Sequence, residues 1–259
     1  MAHRARKRFG QHFLHDPAVI ARIVRCIAPQ PGDALIEIGP GLGALTRPLL
    51  ERAGTLRAVE IDRDVIPHLR DHCAGAGELV IIEADALSVD FAAMGNDLRL
   101  TGNLPYNIST PLLFRLLGQA AHIRDMHFML QREVVDRMAA APGEPAYGRL
   151  SVTLAARARV ERLFTVGRGA FRPPPQVESA VVRMVPRAPA FAIDDLALFD
   201  RVVTRAFAQR RKTLLNALKG LARRADLEAA GLDPGERAER IAPAAFARLA
   251  NRLRAASTG

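Results

Sequence analysis

The sequence of 259 residues contains no tryptophan and only two cysteines, and aromatic residues make up 5% of it. Cys26 and Cys73 lie far apart and outside any CxxC or His-rich motif. We therefore expect neither a disulfide framework nor a zinc site, and a reducing cytoplasm fits best. No apolar run exceeds four residues, whereas a membrane span needs about 20 and the apolar core of a signal peptide about 7 to 15. The sequence thus predicts no membrane association and no secretion signal.

What the chain does contain is enough apolar sequence, 49%, for one large or two modest domains with a buried core. Its net charge is +10, distributed as +5 over residues 1–25, −1 over 26–186 and +6 over 187–259. This pattern predicts a near-neutral globular body with termini that contact a polyanion. The densest basic stretch has no acidic residue and contains Arg201, Arg205, Arg210, Arg211, Lys212, Lys219, Arg223 and Arg224. A solvated surface is the alternative explanation of this stretch.

Hydrophobic periodicity predicts a doubly wound α/β domain followed by helices. Strands are predicted at 34–38, 56–61, 79–83, 98–101, 126–130, 160–166 and 177–185, and helices at 16–27, 45–53, 62–73, 110–119 and 131–140. Asp16 and Asp62 are expected to cap two of these helices. Pro186 and Pro189 mark a break, after which the predicted helices are 194–219 and 243–254. We therefore expect a Rossmann-like domain over 1–186 and an all-helical domain over 187–259.

A glycine-rich loop, residues 39–43, follows the first strand of the predicted sheet. Its glycines allow the backbone to approach a ligand closely, and the next helix begins there. Glu60 ends the second strand, where a carboxylate can accept hydrogen bonds from both hydroxyls of a ribose, and Asp85 ends the third. These features predict an adenosine pocket at the carboxyl edge of the sheet. An ordinary turn with surface acids is the alternative.

The loop alone leaves two cofactors open. Gly39, Gly41 and Ala44 satisfy the GxGxxG/A pattern of dinucleotide-binding proteins, so NAD is an alternative. Glu37 favours S-adenosylmethionine, because the signature of enzymes that use it resembles an acid followed by GxGxG. A carboxylate there would also attract the cationic amino group of the methionine moiety.

The motif Asn103-Leu104-Pro105-Tyr106 follows the fourth strand and indicates the chemistry. An exocyclic amine of a base is a poor nucleophile, because its lone pair is delocalised into the ring. The amide oxygen of Asn103 and the carbonyl of Leu104 can each accept one amino hydrogen and so direct the lone pair at a methyl group. Pro105 stiffens the turn, and Tyr106 offers a ring on which an extruded base can stack. An ordinary loop is the alternative for this motif taken alone.

A proline-rich segment, FRPPPQVES, occupies residues 171–179. Three consecutive prolines hold such a segment extended and stiff, so Phe171 is a candidate for the second face of a base sandwich. The alternative is a core position before a strand.

Eight blocks of this chain, taken together, resemble a known family. They are KRFGQHFL (7–14), EIGPGLGALT (37–46), VEID (59–62), EADAL (83–87), GNLPYNISTPLL (102–113), YGRLSV (147–152), FRPPPQVESAVV (171–182) and FAQRRKTLLNALK (207–219). The chain resembles the small-subunit ribosomal RNA adenine dimethyltransferases, which are relatives of the erythromycin-resistance methylases and of mitochondrial transcription factor B. The ribosome-biogenesis branch fits best. Leu215 and Ala217 depart from the family pattern, which often has arginine and serine there, and this puts one phosphate contact in doubt.

The resemblance implies a reaction and its partners. Four methyl groups would pass from S-adenosylmethionine to the amino nitrogens of two adjacent adenosines, in the hairpin loop near the 3′ end of 16S ribosomal RNA. The substrate would be a pre-assembled small ribosomal subunit, and S-adenosylhomocysteine would be the product. The enzyme would act late in subunit biogenesis as a cytoplasmic monomer, with no metal and no membrane. Residues 1–186 would form the methyltransferase domain with a basic N-terminal segment, and 187–259 would bind RNA.

The resemblance also implies roles for individual residues. The cofactor-binding residues would be Gln11, His12, Leu14, Gly39, Gly41, Glu60, Asp85, Ala86 and Asn103. Asn103 and Leu104 would activate the target amine, while Tyr106 and Phe171 hold its ring. A basic helix would grip RNA phosphates through Arg210, Arg211 and Lys212. Two other hypotheses are an NAD-linked oxidoreductase, in which NLPY has no role, and a non-catalytic RNA-binding assembly factor.

Overall fold

A computed structural model describes residues 12–258, in which strands and helices alternate along the first part of the chain. The strands are β1 (Phe13–Leu14), β2 (Ala34–Ile38), β3 (Thr55–Glu60), β4 (Glu78–Glu83), β5 (Leu98–Asn103), β6 (Ile123–Gln131), β7 (Ala158–Val166), β8 (Phe171–Arg172) and β9 (Ser179–Pro186). The helices are α1 (Pro17–Ile27), α2 (Thr46–Ala53), α3 (Ile66–Cys73), α4 (Ser109–Gly118), α5 (Arg132–Ala139), α6 (Arg149–Ala155), α7 (Leu196–Phe207), α8 (Leu214–Ala217), α9 (Arg224–Ala229) and α10 (Pro243–Thr258). Among the helices of this part of the chain, none has the length and apolar character needed to cross a membrane.

Seven strands form one sheet in the order β4-β3-β2-β5-β6-β9-β7. The strands from β4 to β6 pair in parallel, and β9 pairs antiparallel to β6. The strand order reverses at β2, which lies between β3 and β5, so that Glu37 pairs with Ala58 on one side and Thr101 on the other. The predicted Rossmann-like fold is confirmed. In such sheets ligands bind at the carboxyl ends of the strands, where the order reverses.

The central strands form because their sequences suit burial on both faces. In β2, Leu35, Ile36 and Ile38 are all buried, as expected for a strand inside a parallel sheet. Gly102 near the end of β5 has φ of +158°, and a Cβ at this position would overlap the carbonyl oxygen of Ile38. Glycine therefore allows β5 to lie directly against β2 just before Asn103.

The opening helix begins as predicted, whereas a second predicted helix start is wrong. The carboxylate of Asp16 accepts hydrogen bonds from the amides of Ala18 (2.9 Å) and Val19 (3.2 Å) at the start of α1. Asp62 does not cap α3, which begins at Ile66. Its Oδ1 instead accepts from the Asp64 amide (3.3 Å), because residues 62–65 form a turn ahead of the helix.

A short antiparallel ladder between β1 and β8 was not predicted. Phe13 pairs with Arg172 and Leu14 with Phe171, and the His15 amide donates to the Ala170 carbonyl at 2.9 Å. Two-residue strands carry no recognisable periodicity. The ladder connects residues 13–14, near the start of the described chain, to residues 171–172, which precede the three prolines.

The chain divides into two compact units, and the boundary differs from the predicted one. One unit comprises the described residues up to Val135 together with 161–186, and the other comprises 136–160 and the chain from Arg187 onward. The predicted assignment of 136–160 to the first domain is therefore wrong. The reason is that α6 carries Val152 into a buried cluster with Phe199 and Phe246 of the helical unit.

The long helix predicted over 194–219 is also interrupted. It ends at Phe207, and a turn over 208–213 separates it from the short helix α8. In this turn the Lys212 amide donates to the Gln209 carbonyl at 3.0 Å. Arg210, Arg211 and Lys212 therefore lie in an exposed turn and not on the predicted basic helix. The helix α9, which was not predicted, follows in the same unit.

Candidate active site

A cavity of about 1030 Å³ lies at the carboxyl edge of the sheet, beside the ends of β2, β3, β4 and β5. The structure brings most of the predicted site residues to its wall. They are His12, Leu14, Gly39, Gly41, Glu60, Asp85, Ala86, Asn103, Leu104 and Tyr106. Gln11 lies outside the described residues. The cavity is large enough for a nucleoside cofactor together with part of a second ligand.

Phe171 is not on this wall and occupies a core position before β9, which was the alternative left open by the sequence; its role as a face of a base sandwich stays a prediction. Its ring is only 2% exposed and belongs to the apolar core that also contains Leu14 and Val24. Neighbouring side chains of a strand point to opposite faces. In β8 Phe171 turns into the core, while Arg172 lies on the cavity wall.

Glu37 presents an unsatisfied acid to the cavity. Its side chain is 2% exposed, and its Oε2 has no hydrogen-bond partner. Burial raises the pKa of Glu37 to about 7; the neighbouring Thr46 hydroxyl lowers it, and the nearby carboxyl of Glu60 raises it further. A buried carboxylate oxygen without a hydrogen bond is costly. A cationic ammonium group would relieve this cost, and an anionic pyrophosphate would not.

Glu60 orders the glycine loop from the end of β3. Its Oε2 accepts from the Gly41 amide at 3.1 Å and its Oε1 from the Asp62 amide at 2.8 Å. Burial raises the pKa of Glu60 against the lowering effect of these backbone hydrogen bonds. An ionised carboxylate has about four lone-pair sites, so two acceptor sites remain for hydroxyl groups.

Gly41, Asp85 and Ala86 form further parts of the cavity wall. Gly41 has φ of +55°, and a Cβ there would lie 3.1 Å from the ring of Phe13. A larger residue would therefore press against β1. Asp85 is exposed and its Oδ1 accepts from the Leu87 amide at 2.9 Å, whereas Ala86 is buried on the wall. These residues, with Glu37 and Glu60, fit the amino, ribose and adenine groups of S-adenosylmethionine.

Asn103 and Leu104 supply two oxygen acceptors beside this wall. The Nδ2 of Asn103 donates to the His12 carbonyl at 3.0 Å, which leaves its Oδ1 as the group available to an incoming donor. The Leu104 amide donates to the Met129 carbonyl at 3.1 Å and so holds that peptide. Among the described residues 12–258, no donor is hydrogen-bonded to the Asn103 Oδ1 or to the Leu104 carbonyl. The pair can therefore receive both hydrogens of an amine.

Tyr106 is held by its hydroxyl and by one face of its ring. Its hydroxyl lies 2.9 Å from the hydroxyl of Ser179, and its ring stacks against the His12 ring with centroids 5.6 Å apart and planes at 28°. Burial raises the pKa of the Tyr106 hydroxyl, and the hydrogen bond with Ser179 lowers it. The Nδ1 of His12 lies 2.8 Å from the Pro173 carbonyl. No role was predicted for Ser179 or Pro173, although both lie in the conspicuous proline-rich block.

No group of three or more His, Cys, Asp or Glu side chains in the described part of the chain could hold a metal ion.

Comparisons with known proteins match this chain to one family of enzymes. The family model for ribosomal RNA adenine dimethylase matches residues 2–255. Ribosomal RNA small subunit methyltransferase A of Nitrosococcus oceani is 57% identical over 246 residues, which cover 93% of each chain. The protein of the same name from Aromatoleum aromaticum is 56% identical over 256 residues, or 98% of this chain and 96% of its own.

Two solved structures share the fold over nearly the whole chain. A dimethyladenosine transferase from Plasmodium falciparum has a TM-score of 0.77 at 26% identity and covers 92% of this chain and 96% of its own. The 23S rRNA methyltransferase ErmE has a TM-score of 0.74 at 28% identity, with coverages of 93% and 99%. The family match covers the residues of the cavity wall, the turn at residues 103–106 and the helical unit. This chain therefore belongs to the ribosomal RNA adenine dimethylase family.

Proposed function

We propose that this protein uses S-adenosylmethionine to dimethylate the amino groups of two adjacent adenosines in the hairpin loop near the 3′ end of 16S ribosomal RNA. The substrate is a pre-assembled small ribosomal subunit, and the enzyme acts as a monomer in the cytoplasm without a metal. The observation that carries this proposal is the pair of available oxygens on Asn103 and Leu104, placed beside a stacking ring on the wall of a cofactor-sized cavity.

The residues that would hold the cofactor are distributed along the cavity. Glu37 would accept the methionine ammonium, Glu60 the ribose hydroxyls, and Asp85 with Ala86 would contact the adenine. Leu14 and His12, together with Gln11 beyond the described residues, would close over it. When bound, S-adenosylmethionine supplies an electrophilic methyl group carried by a sulfonium sulfur.

The chain's own contribution to the chemistry is orientation of the target amine. In the first transfer Asn103 Oδ1 and the Leu104 carbonyl each accept one N–H, which turns the nitrogen lone pair out of conjugation with the purine. The monomethylated nitrogen has a single N–H, so in the second transfer only one of the two oxygens accepts. Tyr106 supports the extruded base by stacking. No strong base is needed, because the methylated nitrogen is positively charged and acidic, and it releases its proton to water.

RNA binding would come mainly from the helical unit. Arg211 and Lys212 lie exposed in the turn over 208–213, and neither forms an ion pair with a described residue. Arg210 donates to the Pro145 carbonyl at 2.9 Å and so anchors the turn. Cations of this kind contact phosphates and add affinity with little base discrimination.

The test is incubation of unmethylated small subunits with labelled S-adenosylmethionine, followed by digestion of the RNA and identification of the labelled nucleoside. We expect dimethyladenosine at two adjacent positions. Absence of label would favour a non-catalytic assembly factor. A parallel titration with S-adenosylhomocysteine and with NAD separates the remaining alternative, since tight binding of NAD alone would contradict the proposal.

A further inference from the structure

The ring of His12 covers one face of the ring on which the target base is proposed to stack. A centroid separation of 5.6 Å lies within the range of a single stacked aromatic pair. A purine cannot enter between the two rings at that distance. His12 is therefore not the second face of a base sandwich in this conformation, and a base can stack on this face of Tyr106 only when the imidazole leaves it.

The imidazole is held in this place by its own contact. Its Nδ1 lies 2.8 Å from the carbonyl of Pro173, on the segment that follows β8. The backbone of His12 is anchored separately, because its carbonyl accepts from the Asn103 Nδ2 and the next residue enters the β1–β8 ladder. The side chain can therefore rotate away from Tyr106 while the backbone stays bound to Asn103.

We propose that His12 is a specificity-determining residue that occupies the position of the target adenine on Tyr106 and turns aside when the base of the RNA enters. This inference rests on the proposed function. A base that belongs to a bound subunit is held near the site by many phosphate contacts, so it can displace the imidazole. Free adenosine lacks those contacts, and the closed conformation lowers its apparent affinity in proportion to the fraction of open sites.

The chain offers a direct spectroscopic test, because it contains no tryptophan and only two tyrosines. Tyr147→Phe leaves Tyr106 as the sole tyrosine, and Tyr147 belongs to the other compact unit. In that background we expect His12→Ala to raise Tyr106 emission, because the stacked imidazole is removed. His122→Ala is the matched control and should leave the emission unchanged, since His122 contacts Asn96 and not Tyr106.

The second readout is the affinity for free adenosine in the presence of saturating S-adenosylhomocysteine. Loss of one competing aromatic pair should tighten the dissociation constant about two- to tenfold. His12→Asn, which keeps a polar side chain but no ring, should behave as His12→Ala does and covers the case in which the alanine variant fails to fold. If Tyr147→Phe is itself unstable, the emission difference is read in the chain that retains Tyr147, which adds a constant background.

Three outcomes decide the inference. A rise in emission with tighter adenosine binding supports it. Unchanged emission in both His12 variants shows that the rings do not stack and overturns it. A rise in emission with weaker adenosine binding also overturns it, because His12 would then be part of the base site. Methyl transfer by the unaltered enzyme tests the proposed function separately. A failure of the proposed function can therefore be distinguished from a failure of the inference about His12.

Discussion

The hydroxyl of Tyr106 lies 2.9 Å from the hydroxyl of Ser179, a residue that is completely buried at the start of β9. Tyr106 follows β5 in the sheet, and Ser179 pairs with Gln131 at the end of β6. The two residues are thus brought together by the strand order, although 73 positions separate them. This contact fixes the far end of the ring that is proposed to support the target base.

We expect Ser179→Ala to slow methyl transfer without changing affinity for S-adenosylhomocysteine. A hydrogen bond of this kind contributes about 0.5–1.5 kcal/mol, which corresponds to a two- to tenfold fall in kcat/KM. The control is Tyr106→Phe, which already lacks the hydroxyl. Adding Ser179→Ala to Tyr106→Phe should cause no further loss, and a fully additive loss would show that Ser179 acts by another route.

Asn103→Ala should reduce methyl transfer by at least about 100-fold, because the amine loses the acceptor that orients it. The affinity for S-adenosylhomocysteine, measured by calorimetry, should fall much less than methyl transfer does, because Glu37 and Glu60 still hold the cofactor. The variant also removes the hydrogen bond to the His12 carbonyl, so Asn103→Asp is the informative comparison, since it keeps an oxygen but cannot donate. Retention of activity in the alanine variant would remove the proposed role of Asn103.

Affinity for S-adenosylhomocysteine should rise with pH and level off above about pH 7. The pKa of Glu37 is raised to about 7 by burial, so below that pH the carboxyl is mostly protonated and must release its proton to pair with an ammonium group. The dissociation constant should therefore increase by up to about tenfold for each pH unit by which the pH is lowered below 7. Titrations between about pH 5.5 and 7.5 measure the slope.

Glu37→Gln provides the control for that slope, because the amide is similar in size and does not titrate. We expect weaker binding and a flatter pH dependence in this variant. The remaining slope would report the raised pKa of Glu60. An undiminished slope in Glu37→Gln would mean that another group accounts for the pH dependence.

Arg99 is a buried cation held between two carboxylates, and its loss should strongly destabilise the first unit. Its guanidinium is 9% exposed and donates to Asp33 at 2.7 Å and to both oxygens of Asp125 at 3.0 and 2.9 Å. Arg99→Met would leave buried carboxylates without this partner, which costs about 3–5 kcal/mol. Urea unfolding measures the loss. Arg224→Ala, which breaks an exposed pair with Glu228, should cost less than about 1 kcal/mol.

Charge reversal in the turn over 208–213 should weaken binding to the small subunit. Arg211→Glu with Lys212→Glu removes up to two phosphate contacts, so the slope of log affinity against log salt should become shallower by about two. The same charge change at Arg52 and Arg70, exposed residues of the first unit, is the matched control. An unchanged slope in the turn variant would indicate that the turn faces solvent in the complex.

The sheet and most of the cavity wall are predictable from the amino-acid sequence, because these features depend on local patterns. Buried strands, a glycine turn and an acid at a strand end can each be recognised from a few consecutive residues. Parallel strands bring their carboxyl ends to the same edge of the sheet. Glu60, Asp85 and the turn at Asn103 were therefore predicted beside one another, and they lie on one wall.

The directions of the remaining side chains, and the groups that they contact, depend on how distant segments pack together. Phe171 enters the core because β8 pairs with β1 over two residues, too few to leave a sequence pattern. Ser179 reaches Tyr106, and His12 covers its ring, through contacts between segments far apart in the chain. The turn over 208–213 breaks a stretch whose composition suits a continuous helix. Such outcomes depend on packing between distant segments, and no local periodicity records that packing.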